Sequence, residues 1–496
     1  MMYTSTRNPE LHVSAAQAIA QGISEEGGLF VPESFPKASV DEMLNLDYIG
    51  RAEYILSRFL TDFTEDEIAE CAKLAYAAEK FENDSPAKVV SLDAHGDNKH
   101  ILELWHGPTC AFKDMALQIL PHLLTKSLKK TADGKTAVIL VATSGDTGKA
   151  ALEGFKDVPG TEMIVFYPEN GVSPMQKRQM NTQEGENVCV CAIEGNFDDA
   201  QTGVKKIFTD ETVKAALKEN NKMFSSANSI NWGRLLPQII YYFSAYIDLV
   251  NTDKVKLGEK INVVVPTGNF GNILAAYYAK QMGLPVKKFI CASNKNNILT
   301  DFIRTGVYDK KREFYTTMSP SMDILVSSNL ERLLYHLCGK DSEKLTGWMQ
   351  ALSEGGAYTV DAETAEAVTD LFYGGCCDDR ETVETIRRVF CEDGYLCDTH
   401  TAVAMHVYDM YCRETGDETP TVIASTASPY KFSDSVLNAF NVEKPEDEFE
   451  EAELLSEMTD TAIPVPILQL QGKAVRFNNL CEPEEMPNFV LKTIGV

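Results

Sequence analysis

Along the first 85 residues apolar side chains recur at spacings of three and four, which predicts helices over 14–21, 52–59 and 64–81. Gly27-Gly28, Pro32 and Pro36 punctuate this stretch as turns. Asn83-Asp84-Ser85-Pro86 reads as a boundary, and beyond it 89–92 and 100–104 read as a hairpin around His95-Gly96-Asp97-Asn98. The pattern then changes. Short runs of apolar and β-branched residues at 136–142, 162–167, 187–193, 261–266, 288–292 and 421–425 are of the kind that fills buried parallel strands, and helical stretches separate them. The 136–142 run ends in TSGDTG and a helix through Phe155; the 261–266 run ends in TGNFGN and a helix to Met282. This order predicts an α/β protein with mostly parallel sheets and flanking helices, preceded by a mainly helical region. Ligands of such sheets sit beyond the carboxyl ends of the strands, where both glycine-rich turns fall. The acidic run at 443–453 reads as a solvated loop or helix face.

Composition narrows the possibilities. The 496 residues hold 46 Lys and Arg against 73 Asp and Glu, a formal charge of −27, and 44% hydrophobic residues. A chain this acidic repels phosphate backbones and anionic lipid, so nucleic acid and membranes are excluded as expected partners. Its apolar runs are of strand length, and MMYTSTRNPE lacks the features of a signal peptide, so a soluble, cytoplasmic protein is expected. The 12 cysteines form no CxxC pair and the eight histidines no HExxH, so the thiols are expected to be reduced and no metal site is expected.

Three segments could carry chemistry. ATSGDTGKA superficially resembles a P-loop, but Thr143 and Ala150 stand where that loop needs a glycine and a hydroxyl. No GxGxxG follows a strand. Small residues at 143–148 and 267–272, each opening a helix, let backbone N–H groups approach an anion. Either turn alone also reads as a purely structural one; two together suggest ligands with two anionic groups. The third segment is HGPTCAFKDMALQ at 106–118, where Lys113 opens a helix beside Ala111, Phe112, Met115 and Ala116. Such a lysine either reaches out to water or, if buried, loses proton affinity and suits Schiff-base chemistry.

HGPTCAFKDMALQ, VATSGDTGKAA, SANSINWGRLLPQ, PTGNFGNILA and STASPYKF, in this order, resemble the motifs of threonine synthases, which are fold-type II pyridoxal-phosphate enzymes. YTSTRN and GISEEGGLFVPESFP resemble the family's start, and the likeness runs from about residue 3 to beyond 430. It implies a tryptophan synthase β-like architecture: an N-terminal domain over 1–88, and a catalytic region over 89–496 with a smaller α/β subdomain near 132–225. It implies pyridoxal 5'-phosphate as cofactor and conversion of O-phospho-L-homoserine and water to L-threonine and phosphate, by γ-elimination and addition of water at Cβ.

The resemblance also assigns residues. Lys113 matches the lysine that carries the cofactor and then acts as base. Gly268, Asn269, Phe270, Gly271 and Asn272 match the loop that holds the cofactor phosphate through backbone amides. Thr426 matches the hydroxyl facing the pyridine nitrogen, a milder partner than a carboxylate. Ser144, Asp146 and Thr147 match the turn near the substrate carboxylate and the cofactor's phenolic oxygen. Asn228, Ser229 and Arg234 match the residues that hold the substrate phosphate, with Arg234 about a turn and a half of helix beyond the other two. Lys149 departs from the family's small residue and is expected to point to solvent or add charge near that phosphate. His106 is expected to be a hydrogen-bonded structural histidine. Two rivals stay open: a relative that eliminates phosphate and hydrolyses to a keto acid, and a silent binding protein on the same fold. Oligomeric state is not legible and a monomer is the default. No S-adenosylmethionine activation is expected.

Overall fold

The structure is a computed structural model that describes residues 1–81, 85–92, 98–132, 134–143, 145–170 and 172–496, the side chain of Asp198 excepted. Ser144, most of the expected hairpin turn (His95, Gly96 and Asp97) and the expected boundary residues Asn83 and Asp84 lie outside the described residues.

Two parallel sheets organise the chain. The larger has six strands in the order Phe372–Cys376, Val286–Ser293, Ile261–Pro266, Thr421–Ser425, Lys99–Glu103, Lys88–Leu92. All neighbours are parallel except the last pair, the hairpin expected from sequence, in which Val90 faces Ile101. Its inner strands are continuous apolar runs because helices cover both faces: Ile261–Pro266 and Thr421–Ser425 are buried at every position. The smaller sheet runs Asn479–Cys481, Val188–Ile193, Thr161–Pro168, Thr136–Ala142, Lys222–Ser225, all parallel. Its first strand comes from the carboxyl tail, so this sheet is not built from 132–225 alone.

The amino-terminal region carries the helices Ala15–Gln21, Tyr48–Phe59 and Glu65–Tyr76. Ser14 and Gln17 form a capping box at the first, and Thr64 and Glu67 at the third. The third helix stops at Ala77, which is extended, and a 3-10 turn replaces the rest of the expected run to 81. The sequence pattern also misses a small antiparallel pair, Tyr3–Ser5 with Phe30–Pro32. This region packs on the body of the chain through Trp232, whose ring centroid lies 5.2 Å from that of Tyr3 and 5.5 Å from that of Phe59. The acidic run at 443–453 enters the helix Glu448–Thr459. No helix among the described residues is long and apolar enough to cross a membrane.

The carboxyl ends of Ile261–Pro266, Thr421–Ser425 and Thr136–Ala142 lead into the turn at 267–272, into Thr426 and into the turn at 143–148. Those three segments, with the 106–114 loop, frame the candidate site.

Candidate active site

Lys113 sits in helical conformation just before the short helix Asp114–Leu117. Its loop is bound to the segment after Thr421–Ser425: the Phe112 amide donates to the Thr426 carbonyl at 2.8 Å, the Ser428 amide donates to the Cys110 carbonyl at 3.1 Å, and Ala111 bridges Ala427. Asp114 closes the loop from within, accepting the Thr109 amide at 2.8 Å and the Thr109 hydroxyl at 2.7 Å. Gly107 is required because a Cβ there would lie 2.6 Å from the Asp114 carboxylate. Burial lowers the Lys113 ammonium to about 8; Asp146 opposes that fall, and Arg234 and Lys431 add to it. Burial likewise raises the Asp114 carboxyl to about 6.

The turn at 267–272 is an amide cradle. Phe270 adopts a left-handed conformation, φ 62°, and Gly271 opens the helix Gly271–Met282. The amides of Asn269, Phe270, Gly271 and Asn272 find no acceptor among the described residues. Asn272 is buried, its Oδ1 accepts from the hydroxyls of Tyr241 and Tyr242, and its Nδ2 has no partner. Burial raises both phenols well above their ordinary range, so they stay donors and hold that amide in one orientation. A Cβ on Gly271 would meet nothing closer than 3.5 Å, so the protein itself leaves room there. The cradle is fixed from outside by the segment 321–329. Ser327 donates to the Gly268 carbonyl at 2.6 Å, and the amide and Nδ2 of Asn329 donate to the Asn269 carbonyl at 3.1 and 3.0 Å. Arg332, fully buried, bonds Asn329 Oδ1 at 2.6 Å, the Ile230 carbonyl at 2.6 Å and the Phe30 carbonyl at 2.9 Å. It thereby ties the cradle to the SANSIN segment and the amino-terminal strand pair. Sequence reasoning missed Asn329 and Arg332, because their partners are mainly carbonyls that leave no local signature.

The turn at 143–148 is built differently. Thr143 Oγ1 accepts the amides of Gly145 and Gly148 at 3.0 and 2.9 Å. Gly145, φ 131°, lies so close to Gln176 that a Cβ would fall 2.3 Å from its side chain. Asp146 starts the helix Asp146–Phe155, where its charge suits the helix N-terminus. It is buried against Lys431, 2.6 Å away, with Gln176 donating to the same oxygen at 3.0 Å and Ser321 to the other at 3.2 Å. Burial works to raise the Asp146 carboxyl, but Lys431 and then Lys113 hold it well below the ordinary carboxylate range. This turn therefore differs from the one at 267–272 in carrying its own paired carboxylate. Thr147 is half-buried beside it. Lys149 neither points to solvent nor faces the site: it is buried and paired with Glu153 at 3.0 Å and with Gln183.

Arg234 is 3% exposed and lies on the short helix Trp232–Leu235. One guanidinium nitrogen donates to the Ala227 carbonyl at 2.6 Å, Nε has no partner, and no carboxylate among the described residues lies within ion-pair distance. Burial pulls it down to about 10. A buried cation without a counter-ion costs several kcal/mol, a cost an incoming anion removes. The residues before it are not helical as expected. Asn231 caps the helix and accepts the Gly233 amide at 2.8 Å, while its own amide nitrogen donates to the Ile19 carbonyl at 3.0 Å. Asn228 is consequently exposed and its side chain bonds none of the described residues; Ser229 is half-buried and engages Asn329 through its carbonyl alone. Thr426 is 6% exposed with a hydroxyl that bonds no described residue. His106 is hydrogen-bonded: its Nε2 meets Glu103 at 2.8 Å and its ring lies 4.1 Å from that of Trp105.

Lys113 thus lies within electrostatic reach of the cations Arg234 and Lys431 and of Asp146, and the turn at 269–272 supplies a cradle of unengaged donors. It is arranged for anionic ligands.

Comparison with known proteins finds relatives along most of the chain. Residues 92–427 match the family described as pyridoxal-phosphate dependent enzyme, 2–76 match the threonine synthase N terminus and 401–472 the threonine synthase C-terminal region. The chain is 41% identical over 442 residues to threonine synthase-like 1 of Homo sapiens, covering 86% of this chain but 58% of that longer protein. It is 35% identical over 467 residues to threonine synthase of Saccharomyces cerevisiae, covering 89% of each. The crystal structure of PLP-bound threonine synthase from Brucella melitensis superposes with a TM-score of 0.87 over 99% of both chains at 35% identity.

Proposed function

The chain belongs to the threonine synthase family of pyridoxal-phosphate-dependent enzymes, and from that premise we propose that it converts O-phospho-L-homoserine and water to L-threonine and phosphate. The observation that carries this reading is Arg234, a buried guanidinium without a carboxylate, close enough to Lys113 to lower its proton affinity. The cradle at 269–272 answers one phosphate; Arg234 answers a second.

The residues present fit pyridoxal 5'-phosphate. The amides of Asn269 to Asn272 and the orphan Nδ2 of Asn272 would hold its phosphate, Lys113 would carry it covalently, and the Thr426 hydroxyl would face its ring nitrogen. When bound, the cofactor supplies an electron sink for negative charge developing at the substrate Cα. The Lys113 amine, when free, would be the base for the Cα proton, and its burial, which lowers its proton affinity, suits it to that role. Arg234 binds the phosphate that departs, and a contact that strengthens as charge builds on that group lowers the elimination barrier. Asn228 and Ser229 keep their proposed roles at the substrate phosphate only if the exposed segment turns inward with substrate. Ser144 and Thr147 are assigned to the substrate carboxylate, with Asp146 acting through its neighbours.

We assign the enzyme to the cytoplasm and treat it as a monomer divided at residue 88, with the tail strand Asn479–Cys481 added to the smaller subdomain. The test is incubation of the purified, cofactor-loaded protein with O-phosphohomoserine, scoring L-threonine, phosphate and 2-oxobutyrate together. Threonine and phosphate in equal amounts are expected. Phosphate with 2-oxobutyrate and no threonine would replace this reading with that of a phospho-lyase.

A further inference from the structure

Lys431 lies in STASPYKF, and its buried ion pair with Asp146 is used neither by the cofactor cradle nor by Arg234. Its side chain is fully buried, on the 3-10 turn Pro429–Phe432, and its three protons have two acceptors among the described residues: Asp146 Oδ1 at 2.6 Å and the Thr109 carbonyl at 2.9 Å. Both oxygens of Asp146 are in turn occupied, Oδ1 by Lys431 and Gln176, Oδ2 by Ser321. Lys113 feels the Asp146 charge, yet forms no ion pair with it within 4.0 Å. Two ammonium groups therefore compete for one carboxylate, and the geometry awards it to Lys431.

We propose that Lys431 is a positioning residue for Lys113: by holding the Asp146 carboxylate, it prevents Asp146 from capturing the Lys113 ammonium and keeps that amine free to lose its proton. The inference rests on the assignment of Lys113 as the reacting amine. The charged groups around the pair all bear on it. Asp146, Arg234 and Lys431 act electrostatically on Lys113; Lys431, Lys113 and His400 act on Asp146, Lys431 in direct contact with it. Lys431 also acts on Asp114, and His400 is itself held by Asp398, its Nδ1 2.7 Å from Oδ2. Removing the Lys431 charge leaves Lys113 as the ammonium that acts most strongly on Asp146. Two things then raise the proton affinity of Lys113: a like charge is lost and an opposite charge is released. A merely structural lysine at this place would alter stability without changing how Lys113 titrates.

The experiment reads Lys113 directly in the full-length, cofactor-free chain. Competitive acetylation with acetic anhydride across pH 6–11, with the peptide containing Lys113 read by mass spectrometry, gives the titration midpoint of that one amine. Lys431→Met should move the midpoint upward by about one pH unit or more, toward the ordinary lysine value of about 10.4. Lys431→Arg should leave it near the wild-type value. Asp146→Asn should move it downward, and this second variant decides the matter should Lys431→Met fail to fold. A folded Lys431→Met with an unmoved midpoint overturns the proposal, as does an unmoved midpoint in Asp146→Asn. Cofactor absorbance and threonine formation, followed in parallel on the wild type, separate the two readings: absence of threonine synthesis would refute the proposed reaction while the midpoints still judge the role of Lys431.

Discussion

The two strand-to-helix turns at 143–148 and 267–272 look interchangeable in sequence, and the structure builds them differently. In the first, a threonine hydroxyl takes up the amides of Gly145 and Gly148, and the helix begins with its own carboxylate, Asp146, paired to Lys431. In the second, four successive amides and a buried carboxamide nitrogen are left with no partner among the described residues. Glycine serves packing in the first turn, where Gln176 crowds Gly145, and access in the second, where Gly271 faces room for a further atom. A glycine-rich turn thus identifies a close approach; the fate of its N–H groups shows whether a protein group or a ligand makes it.

The largest effect that sharpens this contrast falls between the turns, at Lys113. Lys113→Ala should reduce turnover by roughly 10⁴-fold or more, and borohydride reduction of the loaded wild type should fix the cofactor to the peptide carrying Lys113. Labelling of another lysine would remove the centre of the arrangement. Next in size is a pair of glycine substitutions compared by urea denaturation. Gly145→Ala places a side chain at φ 131° and against Gln176, and should cost about 2–4 kcal/mol of stability. Gly271→Ala meets no crowding and should stay within about 1 kcal/mol. Equal losses would erase the distinction.

Arg234→Ala should lower kcat/KM for O-phosphohomoserine by about ten- to a hundredfold, the loss expected for one charge-assisted contact of about 1.5–3 kcal/mol. Arg234→Lys should recover only part of it, since an ammonium lacks the planar fork. The smallest effect tests whether Lys149 serves the first turn's helix and not a ligand. Burial works to raise Glu153, but Lys149 chiefly, with Gln183, lowers it from 4.5 to about 2. A carboxyl depressed on folding stabilises the protein above its unfolded value and loses that contribution as pH falls through the folded one. Between pH 4.5 and 2 the wild type should therefore lose about 1–3 kcal/mol more than Lys149→Met does. Parallel acid denaturation curves would contradict the pairing.

Much of the scaffold was legible because buried parallel strands are continuous apolar runs. The strands Thr136–Ala142, Ile261–Pro266 and Thr421–Ser425 fall where hydrophobicity alone placed them. Strands that escaped notice lack that signature. Asn479–Cys481 is three residues long, and Phe372–Cys376 carries Gly374 and Gly375, where a Cβ would press on Thr300 and Val407. At the site, Lys113 and the glycine turn stood out through local composition. Lys431 did not, because a lysine in PYKF gives no hint of burial until the fold brings Asp146 to it. Arg332 was equally silent: its value lies in two distant acceptors, Phe30 and Ile230, joined to the nearby Asn329. For Arg234 the motif was visible, but the helical spacing assumed for it fails because Asn231 caps a new helix and turns the chain.

The central claim is that two different anion receptors serve two different phosphates, and the affinity for pyridoxal phosphate tests it most directly. It is to be measured by absorbance titration of the cofactor-free wild type, Gly271→Val and Arg234→Ala side by side. Filling the cradle in Gly271→Val should weaken cofactor binding by about tenfold or more, the loss of about one charge-assisted hydrogen bond. Arg234→Ala should bind the cofactor within about threefold of wild type while failing to turn over O-phosphohomoserine normally. Loss of cofactor affinity in Arg234→Ala, with Gly271→Val unaffected, would reverse the two assignments and contradict the account.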